Sequence, residues 1–188
     1  MNLRLISILA LGLLLASAAG AYAFGWALVN AKNRSEFPDV PRITTAELAE
    51  WLNDSSRPAP LLLDVRTQAE FEISHLARAK HVEPNAPPSA IREAKERPIV
   101  TYCSVGYRSG AFAKKLRDAG FTNVANLEGS IFRWANEGRS LVSSGRKADK
   151  VHPYNSTWGL LLKRPYRANV PAADGARAET SDSVTETR

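Results

Sequence analysis

Residues 99–109 read IVTYCSVGYRS, a short apolar run followed by a polar loop that contains a glycine and an arginine. The run 99–102 is typical of a strand that is covered on both faces in a parallel sheet. The next helix is predicted from residue 109 to 119, and Gly120 closes it. The single cysteine of the chain, Cys103, therefore lies at the carboxyl end of a predicted strand, where ligands bind in open α/β sheets.

The neighbouring segments alternate between strand and helix patterns. Further apolar runs predict strands at 61–65 and 121–127, and helices are predicted at 46–53, 89–96 and 131–136. Strands that alternate with helices at this spacing indicate an α/β domain with a central, mainly parallel sheet flanked by helices on both faces.

The loop from Cys103 to Arg108 combines residue types that stabilise a negative charge. Backbone N–H groups of a tight loop ahead of a helix form a nest of donors, and the helix terminus adds about half a positive charge. Gly106 lets such a loop turn, while Arg108 supplies a fixed cation with a planar set of donors. A cysteine in this position can have a pKa of roughly 3.5 to 7.5 instead of about 8.5, so it is a candidate nucleophile. A buried, unreactive thiol is the alternative.

This loop and several further motifs, in the same order along the chain, resemble the rhodanese-like domain. The resemblance covers about residues 40 to 142, and we predict the domain at residues 43–142. The motifs are LDVR at 63–66, EF at 70–71, SHL at 74–76, IVTYC at 99–103 with Gly106, Arg108 and Ser109, GF at 120–121, LEG at 127–129, and Trp134.

The resemblance implies a sulfurtransferase in which Cys103 is the nucleophile and carries sulfane sulfur as a persulfide. A small donor such as thiosulfate would supply the sulfur, and cyanide, a thiol or a protein would accept it. No cofactor is expected and no metal, since a single cysteine cannot build a multi-cysteine zinc site. Asp64 and Arg66 match the acidic-x-basic pair of the family, and we interpret them as an ion pair that supports the site. The substrate-binding cradle would comprise Ser104, Val105, Gly106, Tyr107 and Arg108, with Arg108 holding an anionic substrate.

Two alternatives to a sulfurtransferase follow from the same resemblance. Phosphatases that use a related loop have one more residue in it, whereas four residues lie between Cys103 and Arg108 here, which argues against a phosphatase. The second alternative is a non-enzymatic module that binds a partner or presents sulfur at the membrane. The complete loop around Cys103 argues for catalysis.

The chain departs from the family pattern at three turns. The family usually has glycine where this chain has Ser74, Arg78 and Ser130, so the backbone angles there are expected to differ. Two loop residues, Val105 and Tyr107, are uncharged. A strong preference for thiosulfate is therefore not expected.

An apolar segment precedes the predicted domain. From Leu5 to Val29 the chain has 25 residues without a charge, and a helix of that length would span about 37 Å against a hydrocarbon core of about 30 Å. We predict an N-terminal hydrophobic helix over residues 1–30, either a transmembrane anchor or a signal peptide cleaved after Ala21-Tyr22-Ala23. The domain would then work outside the cytoplasm, membrane-anchored through this segment or, after cleavage, periplasmic or secreted. Residues 31–42 contain two prolines and are expected to form a linker.

The positive charge is concentrated behind the predicted domain. The net charge is +6, and residues 139–169 alone carry seven basic side chains and one acidic one. A nucleic-acid-binding domain would spread its basic groups across the fold, so we expect no nucleic-acid partner. The basic C-terminal extension, 143–169, either folds back on the domain or lies on an anionic membrane surface. Residues 170–188 are predicted to be a disordered tail.

Overall fold

The computed structural model describes residues 3–170, with side chains from residue 19 onward. Its helices are α1 (Leu3–Glu36), α2 (Thr45–Asn53), α3 (Gln68–Ile73), α4 (Tyr107–Asp118), α5 (Ser130–Asn136) and α6 (Ser156–Gly159), with short 3-10 turns at Pro88–Ala90 and Arg164–Tyr166. Its strands are β1 (Arg42–Ile43), β2 (Leu61–Asp64), β3 (Lys80–His81), β4 (Ile99–Tyr102), β5 (Val124–Leu127), β6 (Leu141–Ser143) and β7 (Arg146–Ala148).

The central sheet has five strands in the order β1-β5-β4-β2-β3, and every neighbouring pair is parallel. All four residues of β2 and all four of β4 are buried, since these strands lie inside the sheet and are covered on both faces. The prediction of an α/β fold with a parallel central sheet is therefore confirmed. The carboxyl ends of β2, β4 and β5 meet at one edge, which places the loop after β4 among its neighbours.

The start of α2 shows why the local sequence forms a helix there. The hydroxyl of Thr44 accepts the N–H of Glu47, and the carboxylate of Glu47 accepts the N–H of Thr44 at 2.8 Å, which completes a capping box. Two N–H groups that the helix cannot pair internally are thereby satisfied.

The prediction of a helix at 89–96 is wrong, because only the 3-10 turn Pro88–Ala90 forms and the backbone at Ile91 is extended. A short helix needs an apolar face packed on the core. In this segment only Ile91 packs against the apolar core, while Glu93 pairs with Lys80 at 3.3 Å and with Arg97 at 3.4 Å.

Helix α1 and the basic C-terminal extension both pack on the domain. Trp26 and Val29 of α1 share one apolar cluster with Val151, Leu161 and Leu162 of the extension. Two of these, Val151 and Leu162, are fully buried. The extension was expected either to fold back on the domain or to lie on a membrane surface, and in the structure it folds back on the domain.

A single asparagine on α5 connects these two segments. The amide of Asn136 donates to the hydroxyl of Tyr22 at 2.8 Å and to the carbonyl of Leu161 at 2.8 Å. Its carbonyl oxygen accepts the backbone N–H of Lys163 at 2.7 Å. One buried side chain therefore joins α1, α5 and the extension.

Two predictions concern the ends of the chain. Among the residues that the structure describes, no helix meets the length and apolarity that a membrane crossing requires. Residues 1 and 2 lie outside the described residues, and for residues 3–18 of the predicted anchor or signal peptide only the backbone is described. The tail predicted at 170–188 also lies outside them, except for Val170.

Candidate active site

Cys103 follows directly after β4, and two hydrogen bonds to the start of α5 hold its backbone. Its N–H donates to the hydroxyl of Ser130 at 3.2 Å, and its carbonyl accepts the N–H of Ile131 at 3.2 Å. The side chain is only 1% exposed. The position of the sulfur is therefore set by two separate elements, β4 and α5.

The loop after Cys103 turns back over the sulfur. The N–H of Gly106 donates to Sγ of Cys103 at 3.2 Å. Gly106 caps α4 with a left-handed backbone, φ 103°, and a Cβ at this position would lie 3.0 Å from Nδ2 of Asn33. Glycine is therefore required here both for the backbone angle and for space.

The surroundings of Cys103 favour the thiolate. Burial by itself raises the pKa of the thiol, because it disfavours the charged form. The charge of Arg108, the hydroxyl and N–H of Ser109 and the N–H of Gly106 act in the opposite direction, and together they lower the pKa of Cys103 below its ordinary value. The thiolate is the nucleophilic form of cysteine.

The N–H donors of Arg108 are not free to bind a substrate, because the buried carboxylate of Glu70 accepts hydrogen bonds from them. Nη1 and Nη2 of Arg108 lie 2.7 Å from the two carboxylate oxygens of Glu70, and Nη2 also donates to the hydroxyl of Ser104 at 2.9 Å. Although burial raises the pKa of Glu70, the hydrogen bonds and charge of Arg108 lower it to about 2. The ring of Tyr154 covers the guanidinium, with the ring centroid 4.7 Å from Cζ.

The local sequence of α3 also fixes Glu70. Thr67 caps this helix, and its N–H donates to Oε2 of Glu70 at 3.0 Å, so Glu70 takes part in a capping box and in the ion pair with Arg108 at once. The capping box has a sequence signature, a threonine followed three residues later by a glutamate. The pairing with Arg108 has none, since 38 positions separate the two residues.

A second residue that sequence reasoning missed is Asn126 on β5. Its amide donates to the carbonyl of Gly106 at 2.8 Å, and its carbonyl accepts the hydroxyl of Ser109 at 2.7 Å. Asn126 is buried, so it braces both the loop and the first turn of α4.

Asp64 and Arg66 form a fully buried ion pair, as the sequence interpretation expected. Nη2 and Nε of Arg66 lie 2.6 Å and 2.8 Å from the carboxylate oxygens of Asp64, and Nη2 also donates to the carbonyl of Ser74 at 2.6 Å. Neither side chain lines the cavity above Cys103. The pair braces the end of β2 and the chain after α3 and does not contact the nucleophile.

Two of the three turns without the expected glycine keep a left-handed backbone. Arg78 has φ 65° and Ser130 has φ 49°, both in the region that glycine favours, so the expectation of different backbone angles is wrong at these positions. Ser74 has φ −171°, which is extended and open to any residue. At Ser130 the hydroxyl offers a reason for the substitution, since it accepts the N–H of Cys103.

A cavity of about 260 Å³ lies above Cys103. The loop contributes to the cavity lining every residue of the predicted cradle except Gly106. Helix α1 supplies a second wall and the C-terminal extension a third. The complete lining is Val29, Lys32, Asn33, Cys103, Ser104, Val105, Tyr107, Arg108, Tyr154 and Trp158.

Asn33 fixes α1 to the loop. Its amide donates to the carbonyl of Val105 at 3.1 Å, and the residue is 8% exposed. Among the described residues, Oδ1 of Asn33 has no hydrogen-bond partner. The wall formed by α1 therefore contains a buried acceptor beside the cavity.

Fold and site together define an α/β protein with a reactive-cysteine loop at the carboxyl edge of a parallel sheet. The model of the rhodanese-like domain matches residues 44–137. The chain belongs to the rhodanese-like domain family.

Individual relatives agree with this assignment. A protein named sulfurtransferase from Allochromatium vinosum is 32% identical over 105 residues, which cover 55% of this chain and 96% of the relative. The probable adenylyltransferase/sulfurtransferase MoeZ of Mycobacterium tuberculosis is 32% identical over 98 residues, which cover 50% of this chain but only 24% of that protein. The crystal structure of a rhodanese-like domain protein from Staphylococcus aureus superposes with a TM-score of 0.50 at 28% identity, over 56% of this chain and 99% of the other.

Proposed function

We propose that this protein is a sulfurtransferase that carries sulfane sulfur as a persulfide on Cys103. The observation that carries the proposal is the loop geometry, in which the N–H of Gly106 lies 3.2 Å from Sγ and the charge of Arg108 helps to lower the pKa of the thiol. The name of the Allochromatium vinosum relative, which this chain covers almost completely, supports the same activity.

The proposed reaction has two steps, neither of which needs a cofactor. In the first, the Cys103 thiolate attacks the outer sulfur of a donor such as thiosulfate, the S–S bond breaks, and sulfite leaves with the bonding electron pair. In the second, an acceptor such as cyanide attacks the outer sulfur of the persulfide, and thiocyanate leaves as the Cys103 thiolate is restored. The loop donors, above all the N–H of Gly106, stabilise the anionic sulfur throughout.

The test measures thiocyanate formation and the mass of the intact protein for the wild type and Cys103→Ser. We expect the wild type to gain the mass of one sulfur atom on incubation with thiosulfate or another sulfane donor, and to lose it again with cyanide. Because the chain has one cysteine, a gain that Cys103→Ser does not show assigns the persulfide to this residue. A wild type that neither gains sulfur nor forms thiocyanate with several donors would disprove the proposal.

The second candidate is a non-enzymatic module that binds a partner or presents sulfur, and one observation favours its partner-binding form. Cys103 is 1% exposed beneath α1 and the C-terminal extension, so a large acceptor cannot reach the sulfur in this arrangement. If the protein is a partner-binding module, its Cys103→Ser variant should bind the partner as well as the wild type does. A sulfurtransferase, in contrast, depends on the thiol. The same pair of proteins therefore separates the two candidates.

We further propose that the domain works outside the cytoplasm. The support is the uncharged run that starts at Leu5. Its first 17 residues, up to Ala21, precede Tyr22, where α1 begins to contact the domain, and have the length of a signal peptide or a short anchor. Fractionation of cells that express the full chain, with the mass of the mature protein, tests this. Recovery of the intact chain in the cytoplasmic fraction would contradict it.

A further inference from the structure

Half of the residues that line the cavity above Cys103 come from outside the family domain. Val29, Lys32 and Asn33 precede the matched residues 44–137, and Tyr154 and Trp158 follow them. The loop provides the reactive sulfur, but these flanking segments determine what fits above it. From their chemistry we infer that the site takes sulfur donors that carry an apolar organic group in preference to inorganic thiosulfate. This inference rests on the proposed sulfurtransferase function.

The side chains around the cavity are mainly apolar and aromatic. Tyr107, Tyr154 and Trp158 contribute rings, and Val29 and Val105 contribute aliphatic groups. The volume of about 260 Å³ corresponds to roughly nine water molecules at about 30 Å³ each. A thiosulfate ion would fill only part of this space and would leave the apolar walls facing water, whereas an organic group would cover them.

The charges near the sulfur suit a monoanion better than a dianion. The charge of Arg108 is balanced by Glu70 through two contacts of 2.7 Å. Among the described lining residues the other cation is Lys32, which lies at the rim, is 58% exposed and pairs with Glu36 at 3.0 Å. Oδ1 of Asn33, which has no partner in the described part of the chain, adds a further negative dipole. A doubly charged donor approaching a thiolate therefore meets little compensating charge.

Organic thiosulfonates and organic persulfides have the chemistry that this site would accept. The Cys103 thiolate attacks the outer sulfur of a thiosulfonate, R–SO₂–S⁻, and the S–S bond to the sulfonyl sulfur breaks. The sulfinate R–SO₂⁻ leaves with the bonding pair, and Cys103 becomes a persulfide anion. With an organic persulfide, R–S–SH, the same attack releases the thiolate R–S⁻. Charge and atoms balance in both cases without an oxidant or a reductant.

The experiment compares three donors on the full chain, with cyanide as the acceptor and thiocyanate as the product. Thiosulfate is the inorganic dianion, methanethiosulfonate a small monoanion and benzenethiosulfonate a monoanion with an apolar ring. We expect kcat/KM for benzenethiosulfonate to exceed that for each of the other donors by about tenfold. Trp158→Ala should reduce the preference for the benzene over the methane donor by about fivefold, because it removes one wall.

Two further variants make the comparison specific. Leu160→Ala changes an exposed side chain of the same extension that does not line the cavity, and it should keep the wild-type preference. Val29→Thr places a polar group of nearly the same shape in the wall and should reduce the preference even if Trp158→Ala folds poorly.

The outcomes separate the inference from the proposed function. If the wild type uses thiosulfate at least as well as benzenethiosulfonate, or if neither wall variant alters the preference, the inference is wrong while the sulfurtransferase proposal stands. If no donor yields thiocyanate or a persulfide on Cys103, the proposed function fails and the inference fails with it.

Discussion

Glu70 and Arg108 form a two-pronged ion pair beside the reactive sulfur, with both N–O distances at 2.7 Å. The side chain of Glu70 is 2% exposed and that of Arg108 is 21% exposed. Arg108 therefore helps to lower the pKa of Cys103 while most of its net charge is balanced on its other side. The pair holds the guanidinium rigid, so it acts as a fixed part of the loop and less as a mobile anchor for substrates.

The pairing predicts a specific loss of stability in acid. The folded-state pKa of Glu70 is about 2, against an ordinary value of 4.5, so its contribution to folding is complete above about pH 4.5 and is lost as the pH falls towards 2. The contribution corresponds to about 3 kcal/mol. Urea unfolding between pH 3 and pH 7 should show a steeper decline for the wild type than for Glu70→Gln.

Glu83→Gln is the matched control for this acid effect, since Glu83 is 61% exposed and makes one long contact of 3.8 Å with His81. It removes the same charge without the buried pair and should retain the steep decline of the wild type. Equal slopes for the wild type and Glu70→Gln would show that the ion pair contributes nothing measurable in this pH range.

Ser130, whose hydroxyl accepts the N–H of Cys103, has a left-handed backbone. We therefore expect its glycine variant to be more stable than its alanine variant. Ser130→Ala keeps φ near 49° and loses the acceptor for the N–H of Cys103, so we expect a loss of about 1–2 kcal/mol. Ser130→Gly loses the same hydrogen bond but relieves a backbone strain of about 1 kcal/mol, so it should be more stable than the alanine variant. Urea unfolding at neutral pH measures both.

Arg78→Gly separates the two contributions at Ser130. Arg78 is exposed and also left-handed, with φ 65°, so this change relieves strain without removing a buried hydrogen bond. We expect a gain of about 0.5–1 kcal/mol after the entropic cost of glycine. If Ser130→Gly proves no more stable than Ser130→Ala, the backbone angle adds nothing measurable to the cost of the alanine variant.

The hydrogen bonds of Asn136 are expected to hold α1 and the C-terminal extension closed over the cavity. Its side chain hydrogen-bonds α1 through Tyr22 and the extension through Leu161 and Lys163, so Asn136→Ala leaves buried groups without partners. We expect a loss of about 2 kcal/mol and faster hydrogen exchange at residues 159–163. Cys103 should also react faster with a bulky disulfide reagent, because the cover opens more often.

Asn53→Ala is the control for the cover, since Asn53 is an exposed asparagine at the end of α2. It should leave both the hydrogen exchange of the extension and the reactivity of Cys103 at their wild-type values. Unchanged reactivity in Asn136→Ala, despite faster exchange at residues 159–163, would mean that reagents reach the sulfur without movement of the extension.

The sequence by itself determined the three inner strands of the sheet, β2, β4 and β5, and the position of the nucleophile, but not the two edge strands. Continuous apolar runs such as 61–65 and 99–102 predict buried strands because every side chain in them must be covered. The residues from Cys103 to Arg108 identify the loop because the relevant groups are neighbours in the chain, and a local motif needs no knowledge of the fold. The helix predicted at 89–96 failed because its stability depended on packing that the fold does not provide.

Only the tertiary structure decided what surrounds the sulfur. Glu70 balances Arg108, and Asn126 braces the loop through Gly106 and Ser109, although these partners lie far apart in sequence. The cover over Cys103 brings α1 together with the C-terminal extension, more than 100 positions later. Such contacts depend on how the sheet, the helices and both flanking segments pack together, and side chains that meet only by packing leave no periodic pattern in the sequence.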